Sequence, residues 1–309
     1  MDAYPKHPSS YKTFKTLRPN DADLYDILTG HGRRYDGSVH DARLINGQKG
    51  APVPDTVLYD QDDHVVTITY HRPERMNAIN GQMRDELNAA WLRFRDDTDA
   101  WVAILTGAGR AFCAGADIRE GGAAGTFAGT FWEKPTINSF ESGLELFKPT
   151  IAAINGPCLG YGVTAIAFCD FVIASQRATF GFPEVRIGVP TIVGAIRMPQ
   201  RLAWADAMEL LLIGEPVDAE RARAMGLVWK VVPHDDLMAE ARHLANRLCQ
   251  SAPLAVRATK EVAVRSRSLP WVEAVRFGET MRLVAGGTAD AAEGRAAARE
   301  KRSPHWQGK

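Results

Sequence analysis

Two short glycine-rich stretches constrain this chain more than any other feature. Ala111-Phe112-Cys113-Ala114-Gly115-Ala116-Asp117 and Asn155-Gly156-Pro157-Cys158-Leu159-Gly160-Tyr161-Gly162 each follow an apolar, β-like run. Glycine at such points lets a chain turn with positive φ, and both stretches read as turns built to expose backbone N–H groups. Two such amides, held in place, stabilise charge developing on a carbonyl oxygen. Losing one donor of that kind typically costs about 3–4 kcal/mol of transition-state stabilisation.

The pattern around these turns is that of an α/β protein. The run from His64 to Tyr70 alternates like a strand, and Met83, Leu87, Trp91 and Phe94 then recur at helical spacing. Further β-like runs at 102–106, 151–154 and 171–174 make the first two thirds a series of strands punctuated by helices. The last third is largely helical: 203–213 ending at Gly214, 219–225 ending at Gly226, then 237–250, 254–265, 271–284 and 288–301. Residues 1–55 are polar, lack a sustained period and end in Ala51-Pro52-Val53-Pro54. The expected organisation is a partly ordered N-terminal arm over 1–55, a core domain over 56–252 and a C-terminal helical region over 253–309. The Gly/Ala/Thr-rich segment 121–129 reads as a loop.

Composition narrows the function classes. With 37 basic and 37 acidic residues there is no overall field to favour nucleic acid or an anionic membrane, so neither is expected as a partner. Cys113, Cys158, Cys169 and Cys249 form no CxxC pair and no cluster with histidine, which argues against a bound metal and a disulfide scaffold. They read as small residues in a reducing compartment. The N-terminus lacks an apolar signal region and no apolar run is long enough to span a membrane, so a cytoplasmic location is expected. Thr106-Gly107-Ala108-Gly109 imitates the start of a dinucleotide fingerprint, but Phe112 stands where the third glycine belongs. No G-x-S-x-G elbow is present for a serine hydrolase. Cys113 has no histidine in its motif to activate it as a nucleophile.

Several motifs occur in a fixed order: Arg72-Pro73-Glu74-Arg75-Met76-Asn77-Ala78-Ile79-Asn80, the two glycine-rich turns, Ala178-Thr179-Phe180-Gly181-Phe182-Pro183-Glu184, the span from Gly214 to Gly226, Lys260-Glu261, and Glu293-Gly294 to Glu300-Lys301-Arg302. Over about residues 57–306 this order resembles the crotonase (enoyl-CoA hydratase/isomerase) superfamily. The resemblance implies a crotonase-like spiral of repeated β-β-α units with a C-terminal helical region, commonly assembled as a homotrimer or homohexamer. It also implies an acyl-CoA thioester as substrate, with no cofactor beyond the coenzyme A moiety. The two oxyanion amides fall on Ala116 and Tyr161. Coenzyme A is expected along Arg75, Ala78, Ala114, Asp117 and Ile118, with Lys260 or Lys301 near its phosphates. Asp117 also reads as the N-cap of a helix starting near Ile118. The insert between Arg119 and Pro149, with Phe127, Phe131, Trp132 and Phe140, is expected to wall the acyl pocket and points to a bulky or cyclic acyl group.

One departure from the family pattern bears on reaction type. Hydratases of this family flank the thioester with two glutamates, of which one corresponds to Glu184 here and the other is replaced by Thr164. A threonine hydroxyl does not titrate near neutrality, although it can hydrogen-bond a water or a carbonyl. Syn addition of water is served by two carboxylates, whereas a 1,3-proton shift needs one base that removes and returns a proton. The aspartate pattern of dienoyl-CoA isomerases is also absent, with Thr164 and Ile192 at its places. The expected activity is therefore enoyl-CoA isomerisation or hydration with Glu184 as acid and base. The alternatives are another crotonase chemistry, such as decarboxylation or C–C hydrolysis, and a non-catalytic CoA-binding protein. Apolar neighbours such as Phe180, Phe182 and Val189 would have to raise the pKa of Glu184 for exchange near neutrality.

Overall fold

In a computed structural model of the chain, residues 55–120 and 139–309 are described. The described residues fall in one compact unit, which includes both the strands and the C-terminal helices. The expected N-terminal arm and the loop at 121–129 lie outside the described residues.

Nine strands are described: β1 (Val57–Asp62), β2 (Val65–Tyr70), β3 (Val102–Gly107), β4 (Thr150–Ile154), β5 (Cys158–Leu159), β6 (Phe171–Ser175), β7 (Thr179–Gly181), β8 (Val217–Asp218) and β9 (Lys230–Val232). Six form a sheet in the order β1-β2-β3-β4-β6-β9, antiparallel between β1 and β2 and parallel from β2 onward. A smaller sheet has the order β5-β7-β8. Successive strands alternate between the two: β4 lies in the large sheet and β5 in the small one, and β6 and β7 repeat the step. Isolated bridges extend the small layer upstream, pairing Cys113 with Cys158 and Ile79 with Ala116. Each circuit thus leaves the large sheet, touches the small layer and returns through a helix or turn, which is the expected spiral.

Strand sequence explains strand burial. Val102, Ala103, Ile104 and Leu105 are all buried, as a parallel strand covered on both faces requires. Val102 and Ile104 pack in one cluster with Ile151 and Ile173, and Ala103 and Leu105 in the other with Ile154 and Val172. The period of 2 sends alternate side chains to opposite faces.

The described helices are α1 (Gly81–Asp96), α2 (Tyr161–Ile166), α3 (Val193–Arg197), α4 (Trp204–Met208), α5 (Ala219–Ala224), α6 (Leu237–Cys249), α7 (Pro253–Arg265), α8 (Trp271–Gly286) and α9 (Ala289–Glu300). Asn80 caps α1 by accepting from the Met83 amide at 3.0 Å, and Met83, Leu87, Trp91 and Phe94 are buried as their spacing predicts. The helix expected over 203–213 is α4 continued by a π-helical stretch, Glu209–Ile213, and it ends at Gly214 with φ 71°. On the far face of the large sheet, α6 packs Leu237, Ala241, Leu244 and Ala245 against Ile104 and Ile151. By contrast α8 buries only Ala274 among its described residues.

Candidate active site

Both glycine-rich turns leave the same end of the large sheet, where β3 and β4 finish at Gly107 and Ile154. The first is pinned from upstream. Asn77, fully buried and held at φ 56°, donates through Nδ2 to the Ala108 and Ala111 carbonyls at 2.9 and 2.8 Å, while its Oδ1 accepts from the Arg72 amide at 2.8 Å. Asn155 donates to the Gly109 carbonyl at 2.8 Å. The segment then pairs with Ile79: the Ile79 amide donates to Gly115 O at 2.8 Å, and the Asp117 amide donates to Ile79 O at 2.9 Å. Those two bonds turn the intervening Ala116 N–H away from Ile79. Ala116 is exposed, and its amide has no acceptor among the described residues.

The second turn is pinned from both sides. The Leu159 amide donates to Cys113 O at 2.8 Å and the Gly160 amide to Gly181 O at 2.9 Å. Gly160 has φ 52° and is the N-cap of α2, so Tyr161 is the first residue of that helix, where an amide has no partner within the helix. The Tyr161 amide has no acceptor among the described residues. The two turns touch: a Cβ on Gly115, whose φ is +97°, would lie 3.5 Å from Leu159 O and 3.9 Å from the Gly160 Cα. Thr164 is buried one helical turn after Tyr161, its amide donating to Gly160 O at 3.1 Å.

Glu184 sits on a 3-10 turn, Pro183–Ile187, behind the fully buried Phe180 and Phe182. Its carboxyl lies against Gly160, where a Cβ would be 2.5 Å from Oε1 and 3.6 Å from Oε2. Glycine at 160 is therefore required twice over, by its φ and by the carboxyl above it. Burial raises the Glu184 pKa, and the residue's own backbone amide and the Thr191 hydroxyl only partly offset this. Val189, expected among the apolar neighbours, is about half exposed at 48%.

The residues expected along coenzyme A divide. Ala78 and Ala114 lie beside the first turn through the pairing of 76–79 with 114–117, with the Ala114 amide donating to Met76 O at 3.0 Å. Arg75 and Ile118 are exposed, Ile118 to 74%. Asp117 caps a short 3-10 turn, Ile118–Glu120, accepting from the Arg119 amide at 3.2 Å, rather than a full helix. Its carboxylate is buried against Arg72 at 3.0 Å, and Arg72 also donates to the Ala78 carbonyl. Burial works against the Asp117 charge, but the bonds from Arg72 and the Arg119 amide outweigh it and hold the pKa below the ordinary carboxylate range. Asp117 thus ties the turn to Arg72. The Lys260 ammonium donates to Asp170 Oδ2 at 2.7 Å and to the Lys148 carbonyl at 2.8 Å, which fastens α7 to the segments that precede β6 and β4. Lys301 is exposed at the C-cap of α9. Phe140 is a core residue stacked on Trp91 at 4.2 Å, while Phe127, Phe131 and Trp132 lie outside the described residues.

The roles of Arg72 and Asn77 escaped the sequence reading. For Asn77 the available signal was an asparagine, a residue tolerant of left-handed φ, next to Met76. Among the described residues no group of three or more His, Cys, Asp or Glu side chains is arranged to hold a metal ion. The four cysteines are free thiols, and burial pushes Cys113 up to about 12, which leaves it inert. A cleft of about 840 Å³, lined by His64, Trp101, Arg242 and Trp306 among others, opens near the starts of β2 and β3 and contains none of the expected site residues.

Comparison with known proteins identifies the class, that of acyl-CoA enzymes, and the family within it. Residues 60–309 match the family described as enoyl-CoA hydratase/isomerase. The chain is 39% identical over 256 residues to a "probable enoyl-CoA hydratase" of Mycobacterium tuberculosis, covering 82% of this chain and 98% of that one. It is 35% identical over 257 residues to the (E)-benzylidenesuccinyl-CoA hydratase of Thauera aromatica, covering 82% and 99%. The crystal structure of an enoyl-CoA hydratase from Mycobacterium tuberculosis superposes with a TM-score of 0.75 at 33% identity, covering 83% of this chain and all of that one. This chain belongs to the enoyl-CoA hydratase/isomerase, or crotonase, family.

Proposed function

We propose that the Ala116 and Tyr161 amides hold the thioester oxygen of an enoyl-CoA while Glu184 alone moves a proton between two carbons of the acyl chain. The observation that carries this reading is the placement of Glu184 Oε1 against Gly160, one residue before an unpartnered amide and in contact with the turn that bears the other. The ionised carboxylate takes a proton from C2 of a 3-enoyl thioester. The electron pair spreads into a dienolate whose charge rests on the oxygen between the two amides. The carboxylic acid so formed returns the proton at C4, leaving a conjugated 2-enoyl thioester and a carboxylate again. No water is consumed, and the chemistry calls for no cofactor beyond the coenzyme A of the substrate.

A second reading, hydration of a 2-enoyl-CoA, is favoured by the hydratase names of the relatives. It would use Thr164 to hydrogen-bond the water that Glu184 activates. The benzylidenesuccinyl thioester in one relative's name supports a bulky acyl group. We place coenzyme A along Arg75, Ala78, Ala114 and Ile118, with Asp117 acting through Arg72.

A trimeric or hexameric assembly in the cytoplasm is part of the same proposal. Ile187, Ile192, Ile196, Trp204 and Leu212 are between 61% and 71% exposed, and Trp271, Leu283 and Leu269 on and before α8 are exposed as well, which suits faces buried between subunits. No described helix is long and apolar enough to cross a membrane.

Ultraviolet absorbance of the conjugated thioester tests the chemistry. Growth of that absorbance from a trans-3-enoyl-CoA is the expected result. Its loss from a trans-2-enoyl-CoA, with no growth from the 3-enoyl isomer, would replace isomerisation by hydration.

A further inference from the structure

Helix α2 carries both the Tyr161 amide and Thr164, yet it is only six residues long. A helix that short is not stable alone, so its place is set by what holds it. Its buried side chains include Gly162 and Ala165, which offer little for packing to grip, and the hydrogen bonds at its two ends matter the more. At the N-terminal end the Gly160 amide donates to Gly181 O at 2.9 Å, three residues before Glu184. Beyond the C-terminal end Ala167 and Cys169 are buried, and their carbonyls accept from no backbone amide among the described residues. Arg201 serves both: its Nη1 donates to Ala167 O at 2.6 Å and to Cys169 O at 2.9 Å, with Ile166 O further off at 3.4 Å. Arg197 donates to the same Ala167 carbonyl through Nε at 3.2 Å, and its guanidinium lies 5.0 Å from the centre of the Phe168 ring.

Both arginines come from the chain that follows Glu184. That chain turns at Gly188, runs through α3 and ends in a 3-10 turn, Met198–Gln200. It is packed on Phe182, since a Cβ on Gly194 would lie 2.6 Å from that ring. The segment 181–201 therefore bears the candidate base and fastens α2 at both ends. Over a rod about 9 Å long, a shift of one end is felt at the other. We infer that Arg201 is a positioning residue: by clamping the carbonyl end of α2, with Arg197 beside it, it holds the Tyr161 N–H at a fixed place relative to Glu184. This rests on the reading of the Tyr161 amide as an oxyanion donor. A guanidinium suits the task because it stays charged and offers its donors in a rigid plane. Hydrogen bonds from a charged donor are also stronger than neutral ones. Asp170, next to Cys169, is committed to Lys260 at 2.7 Å and to the Thr150 amide at 2.8 Å, which leaves Arg201 to the carbonyls.

Arg201→Gln, which removes the charge and the planar set of donors, and Arg201→Lys, which keeps the charge, are compared with wild type in the full-length protein. Leu244→Ala, buried on α6 across the large sheet, leaves a cavity away from α2 and controls for loss of stability alone. Two readouts follow the oxyanion site: kcat and KM with enoyl-CoA, and the infrared carbonyl stretch of bound enoyl-CoA labelled with carbon-13 at the thioester carbonyl. In Arg201→Gln, kcat should fall about 10- to 100-fold, as for a donor displaced by a fraction of an ångström, with KM within about twofold. The carbonyl stretch should move from its wild-type position back towards its value in water. Arg201→Lys should fall between the two, and it carries the comparison if Arg201→Gln does not fold. Leu244→Ala should leave kcat within about twofold. A loss of kcat in the arginine variants no larger than in Leu244→Ala overturns the inference, and so does a carbonyl stretch unchanged from wild type. A wild-type stretch equal to that in water overturns the oxyanion reading itself, and this inference with it.

Discussion

At the scale of single residues, Glu184 combines two properties that conflict in stability and cooperate in chemistry. Its pKa is raised by burial. A carboxyl whose folded pKa exceeds its unfolded value supports the fold below the unfolded pKa and loses that contribution as pH rises through the folded pKa. At neutral pH the ionised Glu184 therefore costs stability, while its raised pKa suits reversible proton transfer. Glu184→Gln should lower kcat by at least about 100-fold and raise Tm at pH 8, with the gain in Tm shrinking as pH falls towards 4. Parallel kinetic and thermal measurements check both halves, and a variant as active as wild type would remove Glu184 from the mechanism. Glu184, Ala116 and Tyr161 were singled out in the sequence by the family resemblance of the motifs that hold them. The partner of Asp117 was not, because Arg72 lies 45 residues upstream and only the pairing of Ile79 with Ala116 brings them together.

At the scale of elements, the strands and helices follow from periodicity almost as expected, and the exceptions have local causes. The helix expected at 203–213 widens into a π-helical stretch before Gly214, a change of hydrogen-bond register that apolar spacing does not encode. Lys260 illustrates the limit from the other side. Its place on α7 was correctly helical, yet its ammonium bridges to Asp170 and the Lys148 carbonyl. Removing a hydrogen bond to a charged group costs about 1–3 kcal/mol. Lys260→Met should lower unfolding stability in urea by about that amount and leave the Kd for coenzyme A within twofold. A large loss of coenzyme A affinity at unchanged stability would return Lys260 to the phosphate site. Lys148, buried beside it, donates to the Phe94 and Asp97 carbonyls at the end of α1, and burial lowers its pKa to about 8. The two lysines thus serve as internal ties between helices and sheet.

For the whole molecule, the question is what covers the apolar side chains left at the surface. Trp204 at 71% and Trp271 at 83% exposed lie on different helices, so a monomer would present apolar surface in more than one place. Sedimentation velocity should show a trimer or a larger multiple of three, and Trp204→Asp should shift it towards smaller species. A wild-type monomer at micromolar concentration would contradict the assembly.

The sequence by itself determined the α/β class and the positions of both glycine-rich turns, which depend on local chemistry: a period of 2 or 3.6 and glycine where φ is positive. The spiral arrangement and the choice of Glu184 were expected from the order of motifs shared with the family. Only the tertiary structure decided which polar groups meet. Asp117 with Arg72 and Lys260 with Asp170 are contacts set by how successive circuits of the spiral stack. Side chains distant in sequence acquire their roles there, because burial obliges each polar group to find a partner wherever the fold has placed one.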